Sequence, residues 1–367
     1  MSKRDTYLAG DHLIPLRPKE PAGASQVEHD MAGLPETWDD GPLRDGFGRA
    51  IKNLRVSVTD RCNFRCTYCM PEEGLQWLGR GEILSYEEIE RLLRVFVRLG
   101  LEEVRLTGGE PLVRRDLPVL VEKLSQLGLK SLSLTTNGFA LKEMARELVE
   151  AGLQRINVSL DTPVREKFAH ITRRDALPKV LEGLEECERY PELRPIKVNA
   201  VAIRGFSQDD VLAFAELARR KPYIVRWIEF MPLDADGRWD RDDVLSGAEI
   251  RAIIESRYAL VPVTDDRVST AQRFAFADGS GEVGFINPVS EPFCATCDRV
   301  RLTADGQFRT CLFSTWETGL RAPLRDGSSD AGLERVIREA CWRKELRHYI
   351  GDPGFQRASR SMSRVGG

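Results

Sequence analysis

Six short runs rich in β-branched residues, at 54–59, 104–107, 131–136, 155–160, 197–202 and 225–231, recur along the middle of this chain. Between them lie stretches of helical apolar period at 86–99, 117–127, 142–151, 177–190 and 208–220. Strands alternating with amphipathic helices read as βα units around a parallel sheet. Six units fall short of the eight that close a TIM barrel. The expected fold is therefore α/β: an open, partial (β/α)6 barrel of TIM type with a C-terminal segment beyond it. A chain of 367 residues, 42% of them hydrophobic, can bury the core this requires.

The strands themselves are unusual. A parallel strand covered on both faces reads as a continuous apolar run. Here Arg55, Ser57 and Thr59 alternate with Leu54, Val56 and Val58, and Arg105 and Thr107 with Val104 and Leu106. Ser131, Ser133 and Thr135 alternate with Leu132 and Leu134, and Asn157, Ser159 and Asp161 with Ile156, Val158 and Leu160. Lys197 opens the fifth run, and Arg226 follows Val225 at the start of the sixth. With a side-chain period of two, one face of every strand is polar and partly cationic. A half-solvated sheet explains isolated polar residues, but not helices between every strand. A filled or water-lined lumen explains both.

The loop after the first strand holds Cys62, Cys66 and Cys69 at C-x3-C-x2-C spacing. A closed structural zinc site takes four ligands, and neither Cys nor His follows Cys69 until His170. Disulfides suit an exported chain, and no apolar run near Met1 is long enough for a signal peptide or membrane span. Three thiolates on a 4Fe–4S cluster leave one iron open to a ligand. A second group, Cys294, Cys297 and Cys311, repeats three ligands at C-x2-C-x13-C. Zinc remains a reading there, with Asp298 the only nearby fourth ligand; a second open cluster is the other. Free thiolates point to a reducing, cytoplasmic setting. Cys187 and Cys341 stand alone in helix-like stretches and read as buried, inert thiols.

The remaining signals bound the partners. Net charge −3 argues against general nucleic-acid binding, and nothing points to a membrane. Residues 1–47, with five prolines from Pro15 to Pro42, read as an extended or disordered arm, 48–235 as the barrel, and 236–367 as the C-terminal region. Arg299 and Arg301 follow the second cysteine group and join Arg55, Arg105, Lys197 and Arg226 as candidate anion ligands. No GxxxxGK[ST] loop is present, so side chains would have to hold a phosphate. Gly108-Gly109-Glu110 ends the second strand, where barrels bind ligands.

The three-cysteine loop, with Tyr68 before its last cysteine, resembles that of the radical S-adenosylmethionine enzymes. In that superfamily S-adenosylmethionine chelates the fourth iron, and an electron from the cluster breaks its sulfur–carbon bond. The segments RVSVTDRCN (55–63), RLTGGEPLVR (105–114), LTTNG (134–138), RINVSLD (155–161) and RWIEFM (226–231), the second cysteine triplet and the terminal Gly366-Gly367 closely resemble the GTP 3′,8-cyclase family. The likeness runs from about residue 50 to the C-terminus and is weakest over 320–358. It implies a first 4Fe–4S cluster on Cys62, Cys66 and Cys69, with S-adenosylmethionine against Tyr68, Gly109, Ser159 and Met231. It implies a second 4Fe–4S cluster on Cys294, Cys297 and Cys311, and GTP against Arg55, Arg105, Thr135, Lys197, Arg226, Arg299 and Arg301. Gly366 and Gly367 would assist the reaction from the tail. An electron donor and the next enzyme of molybdenum cofactor biosynthesis would be partners, and a homodimer is compatible. A peptide-modifying radical enzyme with an auxiliary cluster is the alternative, and a zinc-stabilised, non-catalytic binding module a third reading.

Overall fold

A computed structural model describes residues 33–366 apart from 36, 39, 235, 265–268 and 359. The expectations for residues 1–32 and for Gly367 lie outside the described residues. The six expected strands are β1 Asn53–Ser57, β2 Glu103–Thr107, β3 Ser131–Thr136, β4 Arg155–Ser159, β5 Ile196–Ala202 and β6 Tyr223–Glu229. They pair in that order, all parallel. The helices are α1 Tyr86–Arg98, α2 Leu117–Ser125, α3 Leu141–Glu150, α4 Arg165–Thr172, α5 Leu177–Cys187 and α6 Val211–Arg220. Helix α4 is one more than the apolar period indicated.

One face of each strand buries apolar side chains against these helices: Leu54, Val56, Leu106, Leu134 and Val198 are fully covered. Helix α1 shows why its segment folds as it does. Ser85 and Glu88 form a reciprocal capping box, and Ile89, Leu92, Leu93 and Phe96 place a buried stripe on the sheet.

The C-terminal region is not a separate layer. It comprises α7 Gly247–Glu255, β7 Leu260–Pro262, β8 Gln272–Phe276, β9 Glu282–Ile286, β10 Arg299–Leu302, β11 Gln307–Arg309, β12 Thr318–Gly319, α8 Arg321–Arg325, α9 Asp330–Trp342 and α10 Met362–Val365. Strand β9 joins β6 and β10 joins β1, both parallel, so the region extends the barrel sheet at both edges. Eight parallel strands result, flanked by antiparallel hairpins in one twelve-stranded sheet, and β9 and β10 do not pair with each other. The barrel stays open. The β10 register matters most, because it sets Arg301 beside Arg55, Arg55 beside Arg105, Arg105 beside Ser133 and Ser133 beside Arg155. One row across five strands thus carries four arginines.

The end of the expected N-terminal arm is docked. Leu43 is 2% exposed and its amide donates to the Leu99 carbonyl at 2.8 Å. Buried Asp45 accepts from the amides of Phe47 and Arg49 and from Arg49 Nε. Arg49 in turn donates to the carbonyls of Cys294, Glu345 and Leu346. Truncating Leu43 to Ala is expected to cost about 3 kcal/mol, the scale of a buried Leu→Ala change, read as a lowered urea midpoint. An unchanged midpoint would mean that this segment adds nothing to the core.

Candidate active site

The first cysteine loop is held by its own backbone and by two neighbouring segments. Gly109 N donates to Thr59 O at 2.9 Å and Glu110 N to Arg61 O at 2.8 Å. A Cβ on Gly109 would lie 2.4 Å from Arg61 O, so only glycine lets the end of β2 lie this close to the cysteine loop. Arg173 donates to the carbonyls of Arg65 and Met70, and Arg174 to that of Asn63. Tyr68 Oη donates to Asp161 Oδ2 at 2.7 Å. All three thiols are pushed up, chiefly by burial: Cys62 to about 11, Cys69 to about 12 and Cys66 well above its ordinary value. Thiolates here need a cation to bind.

Above the arginine row lies a cavity of about 300 Å3, within the range of small-ligand sites. Cys62, Cys66, Cys69, Cys294, Cys297 and Cys311 all line it. So do Tyr68, Gly109, Ser159 and Met231, and Arg55, Arg105, Thr135, Arg226, Arg299 and Arg301. Arg226 and Arg301 are 7% and 6% exposed. Arg226 donates to Asn199 Oδ1 at 2.9 Å and Asn157 Oδ1 at 2.7 Å, both neutral partners. Burial, then neighbouring arginines, push Arg226 and Arg301 down to about 9. Arg55 falls well below its ordinary value for the same reasons, with Arg301, Arg105 and Arg299 beside it. Arg55 Nε and Thr135 Oγ1 are buried without a hydrogen-bond partner among the described residues. Buried cations that form no ion pair among the described residues, together with an orphaned hydroxyl, are a surface suited to an anionic, hydrogen-bonding ligand.

Lys197 is placed differently. It lies near the start of β5, on the same strand face as the cavity-lining Asn199 but below the cavity wall. Burial, then Arg226, Arg105 and Arg155, push it down to about 7. Cys187 and Cys341 are buried, and all eight cysteines are free thiols.

The second triplet sits in a contrasting field. Burial raises Cys297, but Lys344 and Arg299 outweigh it and bring the thiol down to about 7. Arg299 Nη2 reaches Cys297 Sγ at 3.5 Å. Cys311 is pushed up to about 11 by burial and Glu345. No three His, Cys, Asp or Glu side chains among the described residues are gathered closely enough for one metal ion.

The tail enters the barrel. Val365 is fully buried, Ser57 Oγ donates to its carbonyl at 3.1 Å, and Arg301 donates to the Gly366 carbonyl. Ser363 hydrogen-bonds Cys69 and, with Met362, lines the cavity.

This open barrel, with three cysteines on the loop after β1, defines a radical S-adenosylmethionine enzyme, and residues 56–218 match the Radical SAM superfamily. Residues 223–350 match the family described as Molybdenum Cofactor Synthesis C. The chain is 47% identical over 350 residues to the GTP 3′,8-cyclase of Mycobacterium sp. (strain KMS), covering 95% of this chain and 99% of that one. It is 46% identical over 329 residues to that of Streptomyces coelicolor, covering 89% and 96%. Among solved structures, Streptococcus suis SuiB bound to S-adenosylmethionine aligns with a TM-score of 0.55 at 13% identity, covering 87% and 77%. Native anSMEcpe with bound AdoMet aligns at 0.54 and 16%, covering 82% and 84%; both likenesses concern the fold alone. The chain belongs to the GTP 3′,8-cyclase family.

Among the wall residues not singled out from the sequence as site residues are Lys344, Ser363 and Asp161. Lys344 lies where no period or motif marks it, and Ser363 in a tail with no secondary-structure signal. Asp161 was legible only as a polar strand position; its bond to Tyr68 is tertiary. The Gly366 geometry yields a direct test. A Cβ there would fall 2.2 Å from Ser57 Oγ and 2.4 Å from Thr107 Oγ1, at φ +84°. Gly366→Ala is expected to expel the tail, seen as fast amide exchange over 362–366; retained protection would refute this packing.

Proposed function

We propose that this chain converts GTP to (8S)-3′,8-cyclo-7,8-dihydroguanosine 5′-triphosphate, the first step of molybdenum cofactor biosynthesis. The observation that carries the reading is convergence: two cysteine triplets and five arginines, none of them ion-paired among the described residues, line one cavity. Cys62, Cys66 and Cys69 would hold one 4Fe–4S cluster, with Tyr68, Gly109, Ser159 and Met231 against S-adenosylmethionine. Cys294, Cys297 and Cys311 would hold a second, facing the guanine base. When bound, the first cluster and S-adenosylmethionine supply a one-electron bond cleavage that yields a hydrogen-abstracting carbon radical; an electron donor must feed it.

The chain's own part is aim and charge. Arg55, Arg105, Arg299 and Arg301 offer guanidinium forks to the triphosphate, and Arg226 is held ready by Asn157 and Asn199. Thr135 Oγ1 offers the ligand a free hydroxyl. Fixing ribose C3′ toward the radical source and guanine C8 toward C3′ is worth about 7–11 kcal/mol through orientation alone. A radical formed in this lumen must be kept from water and quenching groups, so bound substrate and the inserted tail would have to fill the space around it. A peptide substrate fits this wall less well, because its backbone amides are neutral and do not offset so many buried cations.

Anaerobic incubation with GTP, S-adenosylmethionine and a reductant, followed by product analysis, tests the reading. Two three-cysteine sets imply about eight irons per chain. Replacing Cys294, Cys297 and Cys311 by Ala should leave about half of them, with S-adenosylmethionine cleavage retained and GTP conversion lost. A variant that keeps all its iron but loses zinc would overturn the second cluster.

Phosphate recognition has a pH signature. Lys197 lies just outside the cavity lining, and burial with the neighbouring arginines pushes it down to about 7, so above that pH it is mostly neutral in the free protein. A bound triphosphate favours the ammonium, so binding at pH 8 must take up a proton. Affinity is then greatest below pH 7 and falls as pH rises, by at most about tenfold per unit. Calorimetry in buffers of different ionisation heat measures the uptake, and Lys197→Met should remove it. An unchanged proton uptake in that variant would take Lys197 out of the phosphate site.

A further inference from the structure

The inserted tail is fastened by a residue with no part in the chemistry proposed above. Arg360 stands just before the segment that enters the barrel, and its side chain is 13% exposed. Its Nη1 and Nη2 donate to the two carboxylate oxygens of Asp305 at 3.1 and 2.9 Å. Its Nε donates to Glu317 Oε2 at 3.0 Å. Glu317 is shared with Arg309, which is fully buried and also donates to the Ser314 carbonyl at 2.6 Å. Asp305 further accepts from Thr303 Oγ1 at 2.5 Å. Two cations and two carboxylates balance, which is the condition for keeping such a group out of water.

The placement of this group gives it a consequence beyond local stability. Asp305 lies in the turn between β10 and β11, and Glu317 leads into β12. The same hairpin carries Arg301 on β10, whose guanidinium holds the Gly366 carbonyl at the far end of the tail. The tail is therefore a strap tied at both ends to one hairpin, by Arg360 at its start and by Gly366 at its finish. Between the ties, α10 is a single helical turn that adds about 1.5 Å per residue and has little slack. Midway, Ser363 meets Cys69, and Arg364 donates to Gln76 O at 2.8 Å, so the strap also touches the first cysteine loop. A shift at Arg360 is transmitted to both.

We propose that Arg360 is a positioning residue for the radical step: its fork on Asp305 and Glu317 sets where the tail enters the barrel and so aims the Gly366 carbonyl at the substrate. This rests on the GTP cyclisation proposed above. An ordinary structural ion pair would affect folding, cluster content and substrate affinity together. A positioning anchor affects turnover while sparing them.

The test uses cluster-loaded enzyme with Arg360→Gln, Arg360→Lys and Asp305→Asn, each followed by amide hydrogen exchange over 361–366, iron content, GTP affinity and anaerobic turnover. Arg360→Gln should speed exchange of the tail by about tenfold or more, the worth of charged hydrogen bonds. Its kcat for GTP conversion should fall roughly tenfold to a hundredfold, the cost of a slight misplacement, with KM, iron and GTP affinity unchanged. Arg360→Lys and Asp305→Asn, which keep part of the anchor, should fall between it and wild type. A tail that stays protected in Arg360→Gln, a loosened tail with full turnover, or a parallel loss of iron and GTP affinity would each overturn the assignment. Should Arg360→Gln fail to fold, the graded exchange and turnover of the other two variants decide it by the same criteria. A wild-type enzyme that leaves GTP unchanged would instead refute the proposed reaction, and the exchange measurement would still test the anchor.

Discussion

Burying several guanidiniums in one lumen is the constraint on which the rest of this structure depends. Arg301, Arg55 and Arg105 lie on neighbouring strands in register, and burial together with mutual repulsion lowers the hold of each on its proton. Such a row persists only with compensation. The chain supplies neutral acceptors: Asn157 and Asn199 for Arg226, Ser133 for Arg105, and the Gly366 carbonyl for Arg301. None of these cancels charge. The helices and the apolar strand face carry folding, so the lumen can stay electrostatically unfinished until an anion arrives.

That division explains what could be read from the sequence. The six barrel strands were legible because each has one covered apolar face and one polar face, a period-two signal that survives without tertiary information. Strand β10 was not, since four residues, Arg299–Leu302, present too short a pattern, and its place beside β1 depends on a chain reversal some 240 residues away. Helix α4 was passed over for a similar reason: its eight residues hold only Phe168, Ile171 and Thr172 on the buried side. Leu43 gave no signal because one apolar residue between prolines and glycines has no period; it is the pocket beside Leu99 that makes it core.

The candidate site was legible where chemistry requires a residue type at a fixed spacing, as with both cysteine triplets. The arginines were legible because a cation on a buried strand face contradicts ordinary packing. What stayed hidden were groups that act through distant partners. Lys344 looks like any lysine at a helix end, yet it donates to the carbonyls of Arg299 and Thr310 and is 2% exposed. Arg360 looks like a tail arginine until Asp305 and Glu317 surround it.

The two triplets also show that equal ligand counts do not give equal sites. Acidic neighbours crowd the first: Asp161 raises Cys66 and Cys69, and Glu110 raises Cys62, each on top of burial. In the second, Lys344 and Arg299 bring Cys297 down to about 7 despite burial, while Glu345 raises Cys311. Thiolates beside cations are stabilised and donate charge less readily than thiolates beside carboxylates. A metal group bound beside Cys297 would sit in the more positive field, next to the cavity's arginines. Loss of Lys344 would move that field toward the first site's, which ties a residue without any recognisable motif to the difference between the two centres.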